Sequence, residues 1–350
     1  MTQDLVVHLA SAKWTFATRR VDHAVIAGMD YDFAAARAGD LILAQVESLG
    51  QHNRVQLTTG RPSNIYPGDM IVLACGARYA PDQFEGLAEI DPAGADLLAG
   101  GGCIGRMVAR NDRIKPATRL LPVGRLLDAA GQSVNLDLFA LPASTRSDEI
   151  PVIFVLGTAM NSGKTLATAQ LALGLRRAGY KVAALKGTGT GAFGDYNEYA
   201  DTGAHWVADF TDAGMVTTYR EPPARVKGCM KLLLAHAAER GCQIAVMEIA
   251  DGLFQRETGA LVADPWFRAR LSGLVFACGD AVAAAGGVAE LASHGLRPDA
   301  LTGVLSCSPM AVAEAVAATG VPVLRKNDLA DPAEANTFAL RAFAIDRQAA

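Results

Sequence analysis

The sequence predicts an α/β protein in two parts: a mainly parallel sheet built around a phosphate-binding loop, preceded by a smaller β-rich domain, a barrel or a sandwich. Three observations carry this. An apolar run, Val152-Ile153-Phe154-Val155-Leu156, enters the turn Gly157-Thr158-Ala159-Met160-Asn161-Ser162-Gly163-Lys164-Thr165 and leaves as a helix-forming run from Leu166 to Leu175. Beyond residue 147, apolar strands alternate with Ala-rich helical stretches, the signature of parallel strands covered on both faces. Before residue 146, short strands alternate with turn signals.

The loop is the strongest chemical signal. Backbone N–H groups at the head of a helix converge on anionic oxygens at the positive end of its dipole. Gly157, Thr158, Asn161, Ser162 and Gly163 shape that cradle. Lys164 adds a point charge for the β- and γ-phosphates, and Thr165 a hydroxyl ligand for Mg²⁺. The loop is one residue longer than G-x-x-x-x-G-K-[ST], with Thr158 where the first Gly belongs and Gly157 one step earlier.

Further strands are expected at 182–185, 215–219, 243–248, 273–278, 301–307 and 321–324, with a helix over 230–240. Ligands of such sheets collect at the carboxyl ends of the strands. The second strand ends in Lys186-Gly187-Thr188-Gly189-Thr190-Gly191, the fourth in Glu248-Ile249-Ala250-Asp251-Gly252. Lys186 is placed to pin a substrate carboxylate or to steady a transferring phosphoryl group, with Thr188 in the adjoining glycine-rich turn as a cofactor contact. Glu248 closes an apolar strand, where a carboxylate can hold Mg²⁺ opposite Thr165; Asp251 is the fallback. Asp201 reads equally as a metal ligand, a base or a helix N-cap. Asn327 and Asp328 are candidates for the nucleobase.

The first part, 1–146, has strand-like runs at 41–46, 54–57, 70–76, 104–109 and 133–140. The turn 79–85 is a candidate for substrate contact. A Pro-led polar stretch, 141–149, separates it from the second part, 147–350. Among 350 residues, 51% are hydrophobic and the net charge is −4, which argues against nucleic acid as a standing partner. No run approaches the ~20 apolar residues of a membrane span. The six cysteines are scattered without a C-x-x-C pair, as in buried thiols of a reducing cytoplasm.

At these residues the second part resembles the dethiobiotin synthetase-like P-loop proteins. Gly157-Thr158 through Gly163-Lys164-Thr165 matches their loop, extra residue included; AGYKVAALKGTGTG looks like their second strand with its substrate-facing lysine, and MEIADGL like their Glu-Gly strand end. It is still more similar to the DUF1611 family, through Gly157-Thr158, Thr188-Gly189-Thr190-Gly191, Asp209-Phe210 and Glu248 with Leu253. Ala159 departs from the synthetases' loop Asp, and Gly187 from the Pro after their lysine. The resemblance implies a cytoplasmic, ATP- and Mg²⁺-dependent ligase or kinase acting on a small molecule, an amino acid or a carboxylic acid. Lys164, Lys186, Glu248 and Asp201 are its expected catalytic group; Thr165, Glu248 and Asp201 are its metal ligands. A homo-oligomer is expected. Two other classes stay open: a nucleotide-gated switch or chaperone, and a coenzyme A-dependent acyltransferase.

Overall fold

The computed structural model describes residues 3–349. The chain forms two compact units, one of residues 1–142, 190–194 and 210–220, the other of 143–189, 195–209 and 221–350.

In the first unit, five strands pair in a ring. Leu41–Ser48 lies antiparallel to Met70–Cys75 and to Thr118–Leu127. The ring continues through Ala95–Ala99 to Cys103–Arg110, which returns in parallel to Met70–Cys75. Closure leaves these strands no free edge, and of the two expected architectures the unit is a barrel. Successive side chains of the first strand part to opposite faces: Leu41 and Leu43 enter one apolar cluster, Ile42 and Ala44 another.

Two expected strands fail here for local reasons. Residues 133–140 make only bridges, Leu127 with Ser133 and Asp40 with Asn135, before the 3₁₀ turn Leu136–Phe139. Asn135 accepts from the Asp137 N–H at 3.0 Å and donates to Asp40 at 2.8 Å, so its side chain diverts the backbone from a ladder. Residues 215–219 join this unit rather than the parallel sheet, with one bridge between Thr190 and Thr217 and Val216 buried in the barrel's apolar cluster. The 79–85 turn is the tip of a hairpin whose Glu85 accepts from the Tyr219 hydroxyl at 3.0 Å.

The second unit is a six-stranded sheet in the order Trp206–Asp209, Val182–Lys186, Ile244–Glu248, Val152–Gly157, Leu271–Ala277, Ala300–Thr302. Every pairing in it is parallel. The four inner strands are almost wholly apolar and buried, as a sheet covered on both faces requires. The helix Lys164–Arg177 packs Ala167, Leu171 and Leu175 on Ile153, Val155 and Val246. It ends at Arg177, and two residues on, Gly179 holds a φ of +95° that no β-carbon tolerates well; the Tyr180 N–H turns back to Leu175 O at 3.1 Å. The third strand is thus Trp206–Asp209, and the sixth stops at Thr302 because Gly303, at φ +95°, turns the chain into the 3₁₀ turn Val304–Cys307. Of residues 321–324 only Val323 bridges the sheet, to Leu301.

Cys75, Cys103, Cys229, Cys242 and Cys278 are buried thiols, and Cys307 is exposed. Among the described residues no helix is long and apolar enough to cross a membrane.

Candidate functional site

The phosphate loop leaves the sheet at Gly157 and enters its helix at Lys164. It is built for close backbone approach. Asn161 and Gly163 hold φ values of +64° and +102°, which face successive peptide units inward. A β-carbon on Gly157 would collide with the Ser162 hydroxyl. That hydroxyl is buried and has no hydrogen-bond partner among the described residues, a polar atom the fold leaves unsatisfied inside the cradle. From outside, the loop is braced by the sixth strand's exit: the Val304 N–H donates to Ser162 O at 3.1 Å. A β-carbon on Gly303 would enter that carbonyl.

Lys164, 5% exposed, turns its ammonium back on the loop and donates to Ala159 O at 2.7 Å. Burial lowers its pKa, and the charges of Glu248 and Asp251 partly offset this. The remaining polar groups follow from the parallel register. Lys186 stands opposite both Asp209 and Glu248, so three adjacent strands end in one row of charge.

Lys186 is ion-paired to Asp195 and lies 3.4 Å from Glu248 Oε1. Burial opposes its charge, but the two carboxylates more than offset that and hold its pKa above the ordinary lysine value. Asp195 in turn accepts from the Thr165 hydroxyl at 2.9 Å. Burial works against its ionisation, yet Lys186 and the Thr165 hydrogen bond keep its pKa below the ordinary value. Glu248, 2% exposed, also accepts from the hydroxyl of the fully buried Tyr199. Burial, then the charge of Glu248, raises the Tyr199 pKa, so the phenol keeps its proton. A continuous relay therefore runs Thr165–Asp195–Lys186–Glu248–Tyr199.

The expected residues divide accordingly. Lys164, Thr165, Lys186 and Glu248 come together. Asp201 does not: it is exposed at the C-terminal end of the helix Phe193–Asp201, and Asp195 in the first turn of that helix is the acid that meets Thr165 and Lys186. Nor is Asp201 an N-cap, being the last residue of the helix. Thr188 is a brace, its buried hydroxyl accepting from the Ala250 N–H at 2.7 Å and so shaping the turn after Glu248. Glu248, the other expected metal ligand, directs its two oxygens to Lys186 and Tyr199. Tyr199 and Asp195 carried no distinguishing sequence signal beyond lying in a polar helix.

Oxygen donors at Thr165 and Asp195 suit a hard cation such as Mg²⁺, which takes few protein ligands and fills the rest with phosphate and water. When all are ionised, two lysines (164 and 186) face three carboxylates (195, 248 and 251), leaving one negative charge to be compensated. That residual charge suits a cation, and the loop's inward N–H groups with Lys164 suit phosphate oxygens, so together the residues fit a metal-bound polyphosphate.

Asp251 is the strained member. It sits at φ +67°, and burial, then Glu248 and Glu257, lift its pKa from 3.8 to about 6 against the pull of Lys164 and Lys186. The folded state holds this proton more tightly than the unfolded chain. The ionised carboxylate thus costs stability above pH 6, and the cost vanishes below about pH 4. Asn tolerates the left-handed backbone. Asp251→Asn is expected to raise unfolding free energy by about 1–2 kcal/mol at pH 8, allowing for solvent screening of a partly exposed group, and by almost nothing at pH 4. Urea titrations at the two pH values check this; an equal gain at both would remove charge as the cause.

Beside the loop lies a mainly apolar cavity of about 360 Å³, lined by Gly163, Leu166, Gly303, Cys307, Arg325 and Asn327 among others. Asn327 is thus on its wall, whereas Asp328 accepts from the Arg325 N–H at 2.8 Å and caps a short helix.

No protein-family model matches the chain, and no curated protein matches it. Solved structures do. The signal recognition particle 54 kDa protein of Aeropyrum pernix K1, in complex with GDP, is 17% identical over 57% of this chain and 49% of its own, with a TM-score of 0.38. The chain thus spans about half the length of that protein. The signal recognition particle receptor FtsY of Elizabethkingia anophelis is 16% identical over 58% of this chain and 69% of its own, with a TM-score of 0.35. The hydrogenase maturation factor HypB of Archaeoglobus fulgidus is 12% identical over 56% and 91%, with a TM-score of 0.36. The strand order, the loop and its helix make the second unit a P-loop NTPase-type fold in their own right.

Proposed function

We propose that the second unit binds ATP with Mg²⁺ and transfers the γ-phosphoryl group to a small-molecule carboxylate or amine. The observation that carries this is the relay from Thr165 through Asp195 to Lys186, a lysine held charged at a strand end beside the phosphate loop. Thr165 and Asp195 would hold Mg²⁺, which supplies charge neutralisation to the transferring oxygens. Lys164 and the loop's N–H groups grip the phosphates. Lys186 receives an anionic oxygen of the substrate or of the transferring group, and Glu248 with Tyr199 fixes where its ammonium points. Lys186 is therefore preorganised, and little reorganisation is required when charge develops. The loop motifs shared with dethiobiotin synthetase-like and DUF1611 proteins support the same class of chemistry.

The cavity beside Leu166 and Asn327 is the place for the nucleobase: its walls are apolar enough to take a flat ring, and the Asn327 amide offers both a donor and an acceptor to the base edge.

A thermal-shift panel of ATP, GTP, ADP and acetyl-CoA, each with and without Mg²⁺, tests the reading. A ligand at 100 Kd adds roughly 2.7 kcal/mol to stability. Mg²⁺-dependent stabilisation by ATP is expected. Preference for GTP would move the protein to the nucleotide-switch class, and stabilisation by acetyl-CoA alone, indifferent to metal, would move it to acyl transfer.

A further inference from the structure

The first unit has a cavity of its own, of about 380 Å³, walled by the barrel and by residues 190–193. Two guanidinium groups, Arg54 and Arg78, line it together with His52, Gln56 and Gln83, and no carboxylate does. The hydrogen bonds within it decide what those side chains have left to offer. Arg78 is 7% exposed; it donates to Leu98 O and, at 2.9 Å, to Gln83 Oε1. Its Nη1 also lies 3.2 Å from His52 Nε2.

Burial, followed by the Arg78 charge, lowers the His52 pKa to about 4, so the ring is neutral. Its Nε2 lies between Arg78 Nη1 and the Leu98 carbonyl oxygen, 3.3 Å away, so that nitrogen is engaged by the protein in either tautomer. Gln56 spends its Oε1 on the Phe193 N–H at 2.6 Å, as Gln83 spends its own on Arg78. Both amide NH₂ groups remain, with no protein partner among the described residues. Arg54, exposed at the rim, is tethered to Asn64 Oδ1 at 2.9 Å through Nε, which leaves its two terminal nitrogens without a protein partner among the described residues.

The amide oxygens of both glutamines are thus used within the protein, and their NH₂ donors remain. Such a lining is complementary to an acceptor-rich anion and repels a cation. We propose that the cavity binds a small organic carboxylate, received by the fork of Arg54 and the amide donors of Gln56 and Gln83. The planar fork of the Arg54 guanidinium at the rim suits the geometry of a carboxylate. Arg78, held from below, gives the donors a rigid floor. None of these residues belongs to the P-loop unit, so the assignment stands whether or not the ATP reading does.

Ligand-observed NMR on the full chain tests it, with acetate, glutamate and inorganic phosphate as probes and acetamide as the neutral control. Acetate and glutamate are expected to bind and acetamide not. Arg54→Ala is expected to weaken carboxylate binding at least tenfold, and Arg54→Lys to restore part of it. Lys164→Ala is expected to leave carboxylate binding unchanged. The proposal is overturned by an absence of carboxylate binding, by tighter binding of phosphate than of carboxylate in Lys164→Ala, where the phosphate loop is disabled, by an unaltered affinity in Arg54→Ala, or by loss of carboxylate binding in Lys164→Ala, which would put the anion at the phosphate loop.

Discussion

Lys186→Met is expected to destabilise the second unit by about 3–5 kcal/mol at pH 8, the largest loss of any single substitution considered. The lysine lies between Asp195 and Glu248. Removing it leaves two carboxylates, one of them 2% exposed, with no shared cation. Breaking a buried pair costs this much because the remaining charge is uncompensated, not because the pair itself is worth so much. The pH dependence separates charge from packing. Without Lys186 the carboxylates take up protons more readily in the folded state than in the unfolded chain. Their penalty is then full well above pH 7 and fades as pH falls towards about 4. Denaturant titrations at pH 8 and pH 5 should therefore give a smaller loss at the lower pH. A loss of the same size at both would mean that the methylene stem, not the ammonium, holds the site together.

Asp195→Asn is expected to cut Mg²⁺-dependent stabilisation by ATP at least tenfold in apparent affinity, and phosphoryl transfer by about 10²–10³-fold. The substitution is isosteric and Asn can still accept from Thr165, while its amide NH₂ takes the place of the oxygen paired to Lys186, so the anionic oxygen and that ion pair are lost together and Glu248 remains as the lysine's partner. Asp201→Asn is expected to change either quantity by less than about twofold, because that carboxylate is exposed six residues further along the same helix. A Mg²⁺ titration of both variants decides between them. Loss in Asp201→Asn with retention in Asp195→Asn would restore the assignment suggested by the sequence and dismantle the relay.

That choice shows which parts of the site the sequence makes legible. The phosphate loop is read from the chain because its chemistry is local: nine consecutive residues supply the turn, the donors and the lysine. Lys186 and Glu248 are legible because a charged residue ending an apolar strand has few other reasons to be there. Asp195 is not. Its helix carries acids at 195, 198 and 201, spaced by three, and only the packing of Tyr199 against Glu248 fixes which turn faces the lysine. The fold divides in the same way. Strands with several apolar positions were foreseeable, as was the barrel's run of short strands. Residues 215–219 have the composition of a strand, but Val216 is claimed by the barrel's apolar cluster, a contact no local pattern announces. Residues 133–140 were diverted by a single Asn side chain.

The Lys164 ammonium donates to its own loop, at Ala159 O. An incoming phosphate therefore competes with a bond the protein already makes to itself. The lysine's contribution to nucleotide affinity is the difference between two hydrogen bonds, and the loop must release one before it accepts the other.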